Sequence, residues 1–399
     1  MKVKFKQLFD FKKFKFKQVD FLLLFVTLFL VGFGIVMVYS ASCYSAEVLY
    51  GNSKFFMFKQ LIGAIIGLGF MLLFMMFDYH NLEKVKWYIL AISLVLLALV
   101  FVPKIGVSNN GATRWIRLPG FTIQPSEIAK FAFVIWTSSY LSKNYDYIKK
   151  FAGILPVLFV GGAYCLLIIL EPNMSITMCV AITMVVMLFV GGIRAKHFAL
   201  LGACGACAVP ALIIAEPYRL NRLIAFMNPW LNPKTEGYQL IQSLYGLGAG
   251  GLFGVGLFNS RQKYLFLPFA ESDFIFSIIG EELGLFGCVL LMAIFAIVIY
   301  RGIKIAMHAN DRFGCYLATG ITTVIASQVL INIAVVTGSI PPTGVPLPFI
   351  SSGGTALVVF MSAIGVLLNI ERQSRLKQQF CFSWFVQSSF YKAFCFKHH

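Results

Sequence analysis

LPFAESDFIFSIIGEELGLFGCVLLMAIFAIVIY, residues 267–300, is the stretch on which the fold turns. From Phe274 to Tyr300 it is apolar apart from Glu281 and Glu282, and it exceeds the roughly 20 residues needed to cross a bilayer's hydrocarbon core. Outward from this run lie nine more of the same kind, at about 20–42, 57–77, 86–103, 126–142, 152–170, 175–193, 197–215, 314–336 and 354–370. The fold class that follows is an all-α polytopic membrane protein of about ten transmembrane helices. Composition agrees: 59% of the residues are hydrophobic and 12% charged, with a mean hydropathy of +0.82, which excludes an ordinary soluble domain.

A formal charge of +17 would point a soluble chain toward nucleic acid. Here the Lys and Arg residues collect at the ends of the apolar runs, where they set topology instead, and no nucleic-acid partner is expected. With ten spans both termini share one face, and about 22 of the 33 basic residues fall on it, so that face is cytoplasmic by the positive-inside rule. Residues 1–19 form a basic cytoplasmic segment, 20–370 the ten-helix domain and 371–399 a cytoplasmic aromatic and basic tail long enough for an interfacial helix. The first apolar run is too long for a cleaved signal sequence and reads as a retained span.

Several local motifs reduce to packing. Cys204 and Cys207 form a C-x-x-C in an apolar helix with no His or second pair nearby, and no disulfide is expected among the nine scattered cysteines. Gly246, Gly248 and Gly251 match G-x-G-x-x-G without a preceding strand, which excludes a dinucleotide site. Gly63 and Gly67 read as a close helix contact.

The opposite face carries the longer segments, about 104–125, 171–174, 216–273 and 337–353, and chemistry is expected there. A loop as long as 216–273 must contain helical turns, with GYQLIQSLYGLG the best stretch. Ionisable groups at membrane depth cost about 2.5–3.5 kcal/mol each to insert, so each one there needs a reason.

Four constellations stand out. Glu271 and Asp273 sit at the mouth of the eighth span, with Glu281 and Glu282 roughly 12–13 Å deeper. As an N-cap, Asp273 would have a lowered pKa, which fits poorly with a role as base. Glu127 and Lys130, three apart at the outer end of the fourth span, can pair, while Trp115 between Arg114 and Arg117 suits the headgroup region. In YRLNRLIAFMNPWLNPKTEGYQLIQS, Arg219 and Arg222 share a helix face, as do Gln239 and Ser243; a basic outer loop fits a diphosphate or lipid headgroups. Finally, TGSIPPTGVPLPFISSGGTALV is a Pro/Gly loop with Thr343, Ser351, Ser352 and Thr355 as candidate hydroxyl contacts, or a plain turn. The residues alone leave catalysis and transport both open.

At this point the chain resembles the SEDS family, which includes FtsW, RodA and SpoVE. The resemblance rests on MVYSAS, NGATRWI, QPSEIAK, EPNMS, YRLNRL, NPW, GYQLIQS, GGLFGVGL, SDFIFSIIGEELG and PPTGVPLPFISSGG, in order along almost the whole chain. It implies a ten-helix glycosyltransferase that polymerises lipid II into glycan strands at the outer face of the inner membrane. The essential carboxylate would be Asp273, as general base or as organiser of a divalent cation, Mg or Mn. Arg114, Arg219, Arg222 and Lys263 would contact phosphate, and Glu127, Lys130, Trp115, Gln239 and Ser352 would belong to the substrate site. GEELG and GVLLNIERQ resemble the FtsW division type more than RodA, which implies a septal location, a class B penicillin-binding protein transpeptidase as partner and other divisome proteins. Phe269, Glu271, Ser272, Ser352 and Asn173 depart from the common pattern; a second carboxylate is kept at Glu271, but a metal site there is put in doubt. A lipid II flippase and a non-catalytic divisome scaffold are the alternatives.

Overall fold

The computed structural model describes residues 19–395 except 104, 110–111, 119–120, 215–216 and 236. Side chains of 108–112, 118–121, 208–209, 211–219 and 376–395 also lie outside the described set. Ten long helices occupy the expected positions: α1 (Phe21–Tyr50), α2 (Phe55–Met76), α3 (His80–Leu99), α4 (Pro125–Lys143), α5 (Phe151–Leu170), α6 (Met174–Val190), α7 (Ala195–Ile214), α10 (Ile275–His308), α11 (Arg312–Val336) and α12 (Gly354–Cys395). Two short ones, α8 (Pro217–Met227) and α9 (Tyr238–Gly250), lie in the long 216–273 segment, α9 where GYQLIQSLYGLG predicts it. The chain is a multi-pass membrane protein. Six helices, α1, α2, α5, α10, α11 and the Gly354–Arg375 part of α12, are long and apolar enough to cross a membrane by length and composition alone. α4 departs from that pattern because it faces protein: Ser126, Glu127, Lys130, Thr137, Ser138 and Ser139 are all buried, so it has little need of lipid-compatible side chains. The tail expectation falls largely on side chains outside the described set; its backbone continues α12 to Cys395.

Helix ends follow local chemistry. Asp20 caps α1 by accepting from the Leu23 amide at 3.2 Å, and its other oxygen takes Arg301 of α10 at 2.5 Å. Asn173 caps α6 and Asp311 caps α11 in the same way. Gly67 lets α12 approach α2, since a Cβ there would stand 2.5 Å from the Met361 sulfur, the close packing that the Gly63 and Gly67 pair predicts.

Two features depart from an all-helical bundle. Residues 106–123 form a three-stranded antiparallel sheet, β1 (Gly106–Asn109), β2 (Ala112–Leu118) and β3 (Phe121–Ile123). Thr113, Trp115 and Ile116 of β2 are β-branched and aromatic residues that suit a pleated surface.

The second is an interruption of α10 at Gly284, whose φ of +68° suits glycine alone. The freed carbonyls of Glu281 and Glu282 accept from the amides of Val255 and Gly256 at 3.0 Å each, and the amides of Leu285 and Phe286 donate to Gly251 and Leu252. A loop thus supplies partners for four of the backbone groups that the broken helix leaves open. The Glu281 carboxylate takes Ser260 Oγ and the Arg261 and Gln262 amides. Glu282 takes Ser40 Oγ of α1 at 2.5 Å and pairs with Lys263 at 3.7 Å.

Candidate active site

Asp273 lies in the turn before α10, and three consecutive carbonyls of that turn are held from elsewhere. The Glu271 carbonyl accepts from the Ser352 amide at 2.8 Å, the Ser272 carbonyl from Ser351 Oγ at 2.6 Å, and the Asp273 carbonyl from Asn332 Nδ2 at 2.9 Å. Ser351 Oγ also accepts from the Leu347 amide at 2.7 Å, and Asn332 also donates to the Val345 carbonyl at 2.6 Å. The main chain is fixed, which leaves the Asp273 carboxylate available for chemistry. Gly344 lies directly against it: a Cβ there would stand 3.0 Å from Oδ2.

The expected helix cap is corrected by this arrangement. Phe274, with no side-chain hydrogen bond, occupies the cap position of α10. Burial pushes the Asp273 carboxyl up, against the pull of Arg114, Arg222 and the Ser272 hydroxyl, and pushes Glu271 up in the same direction, with help from Asp273. A raised carboxyl is a stronger base than a capped one, which removes the conflict between capping and catalysis.

Two arginines come to this carboxylate from different segments. Arg114 on β2 donates to the carbonyls of Glu171, at 3.3 Å, and Pro172 in the turn between α5 and α6. Arg222 on α8 donates to the Pro342 carbonyl at 3.0 Å. Ser175 Oγ donates to the Thr343 carbonyl, which ties α6 to the same loop. The segments EPNMS, SDF, YRLNRL, TRW and PPTG, scattered over more than two hundred residues, therefore meet here. Among the described residues, Thr343 Oγ1, Asn332 Oδ1 and both Glu171 carboxylate oxygens are buried without a hydrogen-bond partner. Such atoms are rare in folded proteins and mark places where a polar ligand can complete the bonding.

Glu127 and Lys130 pair at 2.9 Å with both side chains fully buried. Lys130 also donates to Gln328 Oε1 and lies 5.0 Å over the Phe360 ring, while Gln328 Nε2 donates to the Pro346 carbonyl at 3.0 Å. The pair is thus coupled to the loop that carries Gly344.

Other expected residues stand apart. Lys263 is 4% exposed and committed to the Phe258 carbonyl and Glu282; this corrects its expected role as a phosphate contact. Ser352 acts through its amide as an anchor for Glu271, and Trp115 and Gln239 are half-buried on β2 and α9. Ser243, on the Gln239 face, donates to the Val336 carbonyl at 2.8 Å and is a packing link. The Arg219 side chain lies outside the described residues. No group of three His, Cys, Asp or Glu side chains converges among the described residues, and Asp273 is matched by two arginines.

Asn332 lies outside every quoted motif, and Glu171 and Gly344 lie inside EPNMS and PPTGVPLPFISSGG without being singled out there. An asparagine and a glutamate at the ends of apolar helices are themselves a signal, because a polar group there needs a partner or a function.

The cell cycle protein family of FtsW, RodA and SpoVE matches residues 21–376. The chain is 42% identical to Stage V sporulation protein E of Bacillus subtilis over 357 residues, covering 89% of this chain and 98% of that protein. It is 41% identical over 366 residues to a probable peptidoglycan glycosyltransferase FtsW of Trichlorobacter lovleyi, covering 92% and 96%. Its fold is similar to a chain in the solved structure described as "Structural coordination of polymerization and crosslinking by a peptidoglycan synthase complex", with a TM-score of 0.75, 25% identity, and coverage of 89% and 98%. The rod shape determining protein RodA of Thermus thermophilus shares the fold with a TM-score of 0.65 at 24% identity, covering 89% of this chain and 97% of RodA.

Proposed function

The chain belongs to the FtsW/RodA/SpoVE family of cell cycle proteins, and from that premise we propose that it is a peptidoglycan glycosyltransferase that polymerises lipid II, with Asp273 as its general base. The observation that carries this reading is the three-carbonyl grip on residues 271–273, which holds one carboxylate under the electrostatic pull of Arg114 and Arg222 at the start of α10.

In the reaction, the 4-hydroxyl of a GlcNAc attacks the anomeric carbon of the lipid-linked MurNAc at the end of the growing chain. The hydroxyl proton passes to the Asp273 carboxylate as the new C–O bond forms. The bond from the anomeric carbon to the diphosphate oxygen breaks on the opposite face, and its electron pair leaves on that oxygen, with inversion at carbon. Arg114 and Arg222 supply the positive charge that steadies the departing diphosphate. Because the Asp273 backbone is anchored, little reorganisation accompanies proton transfer.

Basic residues crowd the face that carries both termini, so the site opens on the outer side of the cytoplasmic membrane. Division-type resemblance supports a septal location and a class B penicillin-binding protein as partner. Purified protein with such a partner, supplied with lipid II, is expected to make glycan strands, and Asp273→Asn to make none. Equal polymer from both proteins removes the assignment; lipid II translocation without polymer favours a flippase, and inactivity in both assays a scaffold. Lys234, exposed between α8 and α9, checks orientation: Lys234→Cys is expected to react with an impermeant thiol reagent from outside intact cells.

A further inference from the structure

Glu171 is fully buried in the turn between α5 and α6, and neither carboxylate oxygen has a hydrogen-bond partner among the described residues. Its main chain is nonetheless engaged with the site, because Arg114 donates to its carbonyl and to that of Pro172. The same guanidinium acts on Asp273. We propose that Glu171 is a positioning residue for Arg114, held as the neutral acid so that the guanidinium keeps its full charge for the diphosphate of the substrate; this rests on the lipid II reading above.

The electrostatic argument is direct. A charged Glu171 beside Arg114 would cancel the cation that the anionic leaving group needs, whereas a neutral acid leaves it intact and its carbonyls still orient it. Burial supports the neutral form, pushing the Glu171 carboxyl up to about 8 against the pull of Arg114. Of the charged groups around this turn, Arg114 on β2 acts on Glu171, and Arg222 on α8 and Asp273 belong to the same charge set through Asp273. Asn173 and Ser175, the polar neighbours at the start of α6, carry no charge. Deprotonation of Glu171 above that range is therefore an off-switch for anion binding.

The test is equilibrium binding of fluorescent lipid II to Asp273→Asn protein in nanodiscs, between about pH 6.5 and 9.5, alone and combined with Glu171→Gln. Affinity of the protein that retains Glu171 is expected to fall at least about tenfold as pH rises through 8, the scale of one charge-assisted hydrogen bond, and Glu171→Gln is expected to abolish that fall. Adding Arg114→Ala should leave no pH dependence for Glu171→Gln to remove. An affinity that stays flat across this range with Glu171 present overturns the proposal, even where Glu171→Gln does not fold. An alkaline fall that survives in folded Glu171→Gln protein overturns it too. Absence of lipid II binding at every pH removes the lipid II reading itself and this assignment with it.

Discussion

Asn332 holds Asp273 by its backbone and not by its carboxylate, donating to the main-chain oxygen at 2.9 Å while a second N–H of the same amide takes Val345 at 2.6 Å. One side chain of α11 therefore sets the spacing between the proposed base and the loop that faces it. Asn332→Leu keeps the volume and removes both donors. It is expected to lower kcat by about 10- to 100-fold, with KM for lipid II changed much less, because two buried carbonyls lose partners worth about 1–3 kcal/mol each. Steady-state polymerisation kinetics separate the two parameters, and an equal rise in KM would shift the role of Asn332 to binding.

Gly344 faces the carboxylate from the other side. Its φ is +73° and a Cβ would stand 3.0 Å from Asp273 Oδ2. Gly344→Ala therefore combines backbone strain of about 1–2 kcal/mol with a push on the reacting group. Thermal unfolding in detergent is expected to shift down by a few degrees, and the rate to fall by more than that strain accounts for. A variant as active as the wild type would show that the carboxylate moves freely in its cleft.

The pH dependence of the rate follows from the raised Asp273 carboxyl. A general base works deprotonated, so activity rises with pH through its pKa, which burial places above the ordinary aspartate value of 3.8. Arg222 opposes that rise. Arg222→Gln removes a cation that favours the charged form, and the acid limb of kcat is expected to move to higher pH by about one unit. An acid limb that stays in place while the rate drops would mean that Arg222 touches only the substrate.

Most of the bundle was legible because lipid imposes one simple condition, a long apolar helix, and residues 274–300 or 314–336 meet it plainly. What escaped obeys finer geometry. ATRWIRL falls in a loop by hydropathy because its β-branched and aromatic residues break strict alternation and are a weak signal beside ten apolar runs, although Asn-Gly just before it is a hairpin dipeptide in the sequence. The break in α10 is invisible to hydropathy, since Gly284 sits inside an apolar run and only its backbone angles disclose it. Charge at the mouth of a span singles out Asp273, Arg114 and Arg222 as candidates, and the fold brings the segments that carry them together. Lys263 looked equivalent by the same criterion and is instead consumed by Glu282, a pairing that sequence spacing does not encode. Asp273 resembled a cap because Ser272 and Asp273 precede the helix, yet the turn is closed by Ser351, Ser352 and Asn332 from the far end of the chain.

Glu127 and Lys130 illustrate how a buried pair is tested. Removing one partner strands a charge at membrane depth, so Glu127→Gln and Lys130→Met are each expected to destabilise by about 3–5 kcal/mol, while the double variant loses less than the sum. Lipid II polymerisation should be absent in all three if the pair serves the substrate cavity. Recovery of activity along with stability in the double variant would make the pair purely structural.

The interruption of α10 carries a prediction of its own, because the half-helix from Ile275 to Leu283 begins two residues after Asp273 and ends at the break. A Cβ at Gly284 would stand 2.4 Å from the Gly254 amide nitrogen, at a φ that L residues avoid. Gly284→Ala is therefore expected to expel the 251–256 loop and let α10 run straight, which frees the Glu281 and Glu282 carbonyls from Val255 and Gly256. Hydrogen exchange read by mass spectrometry should show faster exchange across 251–263, and polymerisation should fall because the inner end of the Asp273 support has moved. Unchanged exchange in that loop, with activity intact, would mean that the backbone splice does not hold the half-helix in place.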